Sequence, residues 1–336
     1  MNRILWAFGL FTCAFSMTLL SAGFGSFRAS SIARPEKTGI SLNIGLNSVD
    51  PGHYGGWAGT LNACENDAND MADIAKNQGF TVTKLLTKGA TRKAVIDNVT
   101  AAARQLKDGD TFFLSYSGHG GQIPDTNGDE PDGLDETMCF YDGEFIDDEL
   151  AALWPNFAKG VRIFVLSDSC HSGTVTRLAQ YASYSRQANV NAPDAQFFST
   201  RFENLLGEFP RSIERPLSSP VRAMPFSIVN TTYRNNKAFY DGISNGLAKE
   251  RDSARLTKCS VLLISGCQDN QLSYDGPING YFTGKLKLVW NAGAFRGDYR
   301  DFHARIMDEM PSTQSPNYFF FGTSNIDFES EKPFTR

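Results

Sequence analysis

Three short stretches of the chain, residues 111–116, 161–166 and 260–265, are apolar almost without interruption. A strand with one wet face alternates polar and apolar side chains. Runs such as Val-Arg-Ile-Phe-Val-Leu or Ser-Val-Leu-Leu-Ile-Ser do not alternate, so both of their faces must be covered. Between the runs lie helical patterns. Residues 66–78 carry Met71, Ile74 and Ala75 at helical spacing and stop at Gly79, and residues 91–106 place Val95, Val99, Ala102 and Leu106 on one face. A short helix is expected over 147–153, ended by Pro155, and longer ones over 281–290 and 299–310, the last stopped by Pro311. Shorter strands fit 40–46, 81–86 and 318–321. Strands that alternate with helices predict an α/β chain with a mainly parallel sheet.

The rest of the sequence sets bounds. With 41% hydrophobic and 21% charged residues, the 336-residue chain is neither disordered nor fibrous. A formal charge of −5 and the lack of a basic run argue against a nucleic-acid partner. The start reads as a targeting segment: a basic Met1-Asn2-Arg3, an uncharged stretch over 4–20, then small residues to Ser26. Residues 1–25 are therefore expected to be a signal peptide for export to the periplasm or beyond. Membrane anchoring by the same segment is the alternative. Residues 174–258 differ from the rest, with Pro193, Pro210, Pro216, Pro220 and Pro225 and weak periodicity, and are expected to be a long surface connection with some local helix. Six cysteines are present without a CxxC pair, which removes zinc-ribbon and thioredoxin readings. Loss of a signal peptide would leave an odd number, hence at least one free thiol.

Chemistry collects where parallel strands end. The run 111–116 leads into Ser117-Gly118-His119-Gly120-Gly121, and the run 161–166 into Ser167-Asp168-Ser169-Cys170-His171-Ser172-Gly173. If the two strands are neighbours, His119 and Cys170 face each other. An imidazole can take the thiol proton and later protonate a leaving amine. The amides of Gly120 and Cys170 can hold a developing oxyanion. Such a pair of loops fits acyl transfer. His171, adjacent to the thiol, fits a structural role, and His53 and His303 fit surface or packing roles.

These two motifs resemble the catalytic motifs of metacaspases and their bacterial caspase-like relatives. His119 and Cys170 are 51 residues apart, against about 50 in caspases. The resemblance extends to Asn66-Asp67-Ala68 and to the stretch from Ser265 to Gln271. It implies a caspase-like fold, a central and mainly parallel six-stranded sheet flanked by helices. The peptidase domain would span 38–325, with 38–173 and 259–325 as large-subunit-like and small-subunit-like parts and 174–258 as the insertion between them. It implies a cysteine endopeptidase acting through His119 and Cys170 on protein or peptide substrates with Arg or Lys before the cut. Asp67 and Asp168, with Ser117, would line the pocket for that basic residue. The nucleophile motif departs from the Gln-Ala-Cys-Arg-Gly of true caspases, so their preference for aspartate does not carry over.

The chemistry itself calls for no cofactor. The acidic stretch 125–136 suits Ca²⁺, and calcium-binding metacaspases use aspartates matching Asp135, Asp147 and Asp148. A further family aspartate falls near Arg177 of this chain. The exposed arginines of 174–258, among them Arg177, Arg186, Arg201, Arg211, Arg215 and Arg222, suggest self-processing. Two other readings stay open: a non-proteolytic interaction protein of the same fold, and a thiol acyl-transferase or ligase.

Overall fold

In the computed structural model, which describes residues 36–126, 133–170, 220–247, 257–268 and 271–336, the apolar runs become the inner strands of one sheet. The first part of the chain gives β1 (Gly39–Gly45), α1 (Cys64–Asn77), β2 (Thr81–Leu86), α2 (Arg92–Gln105) and β3 (Thr111–Ser117). Then come β4 (Gly120–Pro124), β5 (Leu134–Phe140), β6 (Gly143–Ile146), α3 (Asp147–Leu153) and β7 (Arg162–Asp168). Past the long connection follow α4 (Phe226–Asn235), α5 (Lys237–Leu247), β8 (Ser260–Ser265), α6 (Tyr281–Trp290), α7 (Tyr299–Glu309), β9 (Asn317–Gly322) and α8 (Ile326–Glu329).

The main sheet has six strands in the order β2-β1-β3-β7-β8-β9. All neighbours are parallel except β9, which runs antiparallel to β8. Side-chain alternation explains why the inner strands are apolar throughout. Phe112, Leu114, Ile163, Val165, Val261 and Leu263 point to one face, against Val95 and Val99 of α2 and Leu150 of α3. Phe113, Phe164, Leu166, Leu262 and Ile264 point to the other, against Met71 of α1, Leu286 and Trp290 of α6 and Phe302 of α7. Each such side chain contributes roughly 1.5–3 kcal/mol by leaving water. Phe328 and Phe334, past the expected domain end at 325, belong to this second core, and Lys37–Arg336 clusters as one compact unit.

The small antiparallel sheet β4-β5-β6 is not legible in the sequence. Its first strand reads Gly-Gly-Gln-Ile-Pro, poor strand formers that are held by pairing with β5 rather than by propensity. As a result the acidic stretch is not all loop: Asp135 and Glu136 sit in β5 and are buried. Within the long connection, residues 226–247 form the two helices α4 and α5, while 171–219 lie outside the described residues. So do the targeting segment 1–25, His171, Arg177 and the other arginines named above except Arg222. The five described cysteines are all buried.

Candidate active site

The register of β3 and β7 fixes the site. Ser117, the last residue of β3, is paired with Asp168, the last of β7. Gly45 of β1 is level with Ser117, and Ser265 of β8 with Ser167, so four parallel strands end along one edge. His119 and Cys170 each follow two residues beyond that edge.

His119 is buried, with Trp57 against its ring at 4.7 Å between centroids. Its Nε2 lies 3.0 Å from the carbonyl oxygen of Gly59. A carbonyl can only accept, so Nε2 carries the proton and Nδ1 keeps its lone pair. Nδ1 is buried without a hydrogen-bond partner. Burial lowers the imidazole pKa to about 4, partly opposed by the Gly59 carbonyl, so the ring is neutral at pH 7. The Cys170 sulfur accepts a hydrogen bond from the Ser273 amide at 2.9 Å and lies 3.6 Å from the Ser273 carbonyl oxygen.

The amides of Gly120 and Cys170 both donate to one acceptor, the main-chain carbonyl oxygen of Arg222, at 2.9 and 3.2 Å. Gly120 has to be glycine: a β-carbon there would overlap the carbonyl oxygen of Cys170. Residues 220–224 pass extended through the site. The Arg222 amide donates to Ser273 O at 2.9 Å, the Asp275 amide to Pro220 O at 2.8 Å, and the Met224 amide to Gly120 O at 2.8 Å. Val221 is bridged antiparallel to Tyr274, and Ala223 parallel to Gly120.

The Arg222 side chain fills a pocket under that edge. Its Nη1 lies 2.9 Å from Asp168 Oδ2 and 2.8 Å from Ser117 Oγ. Its Nη2 lies 2.7 Å from Asp67 Oδ2 and 2.9 Å from Asp275 Oδ1. The four charged side chains are at most 2% exposed. Asp67 does not cap α1. It accepts from the Gly280 amide at 3.1 Å and from Asn279 Nδ2 at 2.9 Å. Asp168 accepts from Ser273 Oγ and Thr283 Oγ1, both at 2.7 Å, and from the Thr283 amide at 3.0 Å. Asp275 accepts from the Asn62 amide at 2.7 Å. Burial pushes the Asp67 carboxyl up, against the pull of Arg222. Burial also works against the guanidinium, but Asp168, Cys64, Asp67 and Asp275 together hold it well above its usual value. A buried charge needs such partners, and three carboxylates around one guanidinium leave the pocket net negative.

Asp67, Asp168 and Ser117 thus meet around one guanidinium, and the amides of Gly120 and Cys170 meet at its carbonyl oxygen. Sequence reasoning missed Asp275, Ser273, Asn279 and Thr283. The signal available for Asp275 was its place on the loop after β8, a third parallel strand end. Asp135 lies in β5, and Asp147 and Asp148 in the first turn of α3, all buried. Among the described residues no three His, Cys, Asp or Glu side chains are gathered as a cation site. Residues 127–132, with Asp129, Glu130 and Asp132, lie outside them. His53 and His303 are tied elsewhere, to Tyr240 Oη at 2.7 Å and to Pro316 O at 3.0 Å.

The sequence is 28% identical over 295 residues to metacaspase-1A of Aspergillus oryzae, covering 83% of this chain and 65% of that protein. It is 30% identical over 231 residues to metacaspase-1 of Schizosaccharomyces pombe, covering 67% of this chain and 50% of that protein. The chain therefore spans half to two thirds of the length of these curated relatives. The crystal structure of protein GSU0716 from Geobacter sulfurreducens is 50% identical in sequence and superposes with a TM-score of 0.71, covering 89% of this chain and 98% of that one. The family profile described as the caspase domain, Peptidase C14, matches residues 49–325, nearly the whole described chain, and the protein belongs to that family.

Proposed function

We infer that the protein is a cysteine endopeptidase that cuts after Arg, and after Lys, through Cys170 and His119. One observation carries the reading: an arginine whose carbonyl oxygen rests on two amides is the same arginine whose guanidinium is held by three carboxylates. That is how a substrate residue before the scissile bond must sit. The Cys170 thiol gives its proton to His119 Nδ1, and its sulfur adds to the carbonyl carbon. The oxyanion stays on the amides of Gly120 and Cys170, a device worth about 10²–10³ in rate per donor. His119 then protonates the leaving amine as the carbon–nitrogen bond breaks. A water, deprotonated by the same imidazole, releases the thioester as a carboxylate and restores the thiol.

Arg can bind two carboxylates through its fork, whereas Lys offers a single point charge, so Arg substrates should be cut at least as fast. An Asp side chain would be repelled. Short fluorogenic peptides ending in Arg, Lys or Asp test this, and preference for Asp would overturn it. Export by residues 1–25 is part of the same proposal, and the mature N-terminus checks it. Calcium at Asp135, Asp147 and Asp148 is a separate proposal with no step of the chemistry routed through the ion. EDTA should lower activity, and Ca²⁺ should restore it better than Mg²⁺. Activity unaffected by chelation retires it.

A further inference from the structure

We propose that Trp57 is a positioning residue of the same site: its indole, packed on His119, holds the imidazole in the one orientation that keeps Nδ1 open to the Cys170 proton. This rests on the peptidase reading above and adds to it a group that acts through His119.

Hydrogen bonding ties the imidazole at one point only. Nε2 donates to the Gly59 carbonyl oxygen at 3.0 Å, and Nδ1 is buried without a hydrogen-bond partner. One bond leaves a ring free to swing about it, and the second torsion of a histidine is broad. The Trp57 ring supplies the missing restraint. Its centroid is 4.7 Å from that of His119, with the planes tilted by 55°. Both restraints come from the same short stretch of chain. Gly59 has a φ of +54°, and a β-carbon there would lie 2.9 Å from Trp57 Cη2, 3.0 Å from Trp57 Cζ3 and 3.1 Å from His119 Cδ2. Glycine at this position lets the indole and the imidazole close over one α-carbon while its carbonyl reaches Nε2.

A side chain can orient another only if it is itself fixed. The stretch that carries Trp57, between β1 and α1, is tied at several points. The Val49 amide donates to Ala58 O at 2.9 Å, the Trp57 amide to Tyr54 O at 3.1 Å, and Tyr54 Oη to Phe140 O at 2.7 Å. The Tyr54 ring meets the indole edge-on, 6.2 Å between centroids. From the side of α4 and α5, Asn236 Nδ2 donates to His53 O at 3.1 Å, and Tyr240 Oη lies 2.7 Å from His53 Nε2. The indole is therefore a fixed wall, and the imidazole loses its freedom to turn before the reaction begins. Misplacing a reacting group by about 1 Å can cost about 10²-fold in rate, which sets the scale of what such a wall protects. The indole also packs beside a cluster that includes Met224, so contact with substrate is the rival account of Trp57. The two accounts part in kinetics: a lost substrate contact raises KM, whereas a badly held base lowers kcat.

The test uses the full-length chain and an Arg-ended fluorogenic peptide, with wild type and variants compared at the same state of chain cleavage. Trp57→Leu should lower kcat about tenfold or more and leave KM within about twofold, because Leu fills space without presenting a flat wall. Trp57→Phe keeps a flat ring and should recover kcat to within about threefold of wild type. Trp57 is only half-buried, so both variants should fold, and thermal unfolding checks this. Trp57→Met takes the place of Trp57→Leu if the latter does not fold. A Trp57→Leu enzyme with the kcat of wild type overturns the proposal and leaves the peptidase reading standing. So does a loss confined to KM, or a Trp57→Phe enzyme no faster than Trp57→Leu. A wild type that hydrolyses neither Arg nor Lys peptides overturns the peptidase reading, and the role of Trp57 falls with it.

Discussion

Ser117 and Asp168 are directly paired across β3 and β7, and the histidine and the cysteine of the site each stand two residues beyond that pair. The same two residues touch the Arg222 guanidinium. One rung of a sheet thus sets the proposed dyad and the pocket around the Arg222 guanidinium together. Displacing it should harm both, and changing the pocket alone should harm one.

Replacing a pocket carboxylate tests that separation. Asp168→Ala should cost roughly 2–5 kcal/mol of transition-state binding for Arg peptides, the penalty for removing one partner of a desolvated pair. Asp275→Asn should cost in the same direction. Reaction of Cys170 with a small uncharged thiol reagent should be nearly unchanged in processed enzyme. Undiminished Arg cleavage in either variant would remove these residues from the pocket.

Gly120→Ala should lower kcat about 10²-fold or more with a smaller change in KM. The added β-carbon meets the Cys170 carbonyl oxygen, and relieving that overlap moves both oxyanion amides. Steady-state kinetics with an Arg peptide reads the split.

If the self-processing expected of the long connection occurs after Arg222, its pH dependence should differ from that of turnover. With residues 220–224 in place, burial holds the His119 pKa at about 4, so the basic form persists above that value and the first cut should keep its rate down to about pH 5. Once the segment leaves, water reaches the ring, and peptide hydrolysis should fall off nearer the ordinary histidine value of about 6.5. Single-turnover gels and peptide assays across pH 4–8 compare the two. Coincident profiles would contradict the burial argument.

Glu144 gives a prediction about stability. Burial pushes its carboxyl up to about 8, opposed by a hydrogen bond from Thr137 and by Arg92, so it is mostly protonated at pH 7. Its folded pKa is raised above the unfolded value of 4.5. The stability this gives is full below pH 4.5 and is lost as pH rises through about 8. Glu144→Gln removes that loss and should raise stability by roughly 1–3 kcal/mol at pH 9 relative to wild type, with little effect at pH 4. Thermal unfolding at both pH values checks it.

What could be read from residues alone follows from where the constraint lies. The β3, β7 and β8 runs need two covered faces, and that demand shows in every residue of the run. His119 and Cys170 are visible because both follow such runs. Asp275 is not, since it sits in a loop without periodicity and acts only because β8 and α6 bring it under Arg222. Arg222 looks like any arginine of a proline-rich connection. Its burial is decided by Ser273, Gly120 and three carboxylates distant in sequence. The strands β4 and β6 escape notice for the same reason: pairing with β5 makes them strands, not composition.

The pairing of β7 with β8 has a consequence for a molecule cut after Arg222. One strand comes before the cut and the other after it, and they lie side by side in the middle of the sheet, buried on both faces. The nick would divide the backbone without dividing the fold. The two polypeptides should elute as one particle and part only in denaturant, and neither should regain its shape alone, because each would expose the flank of a central strand to water. Covalent continuity between β7 and β8 would then be dispensable to the folded particle once such a cut had been made.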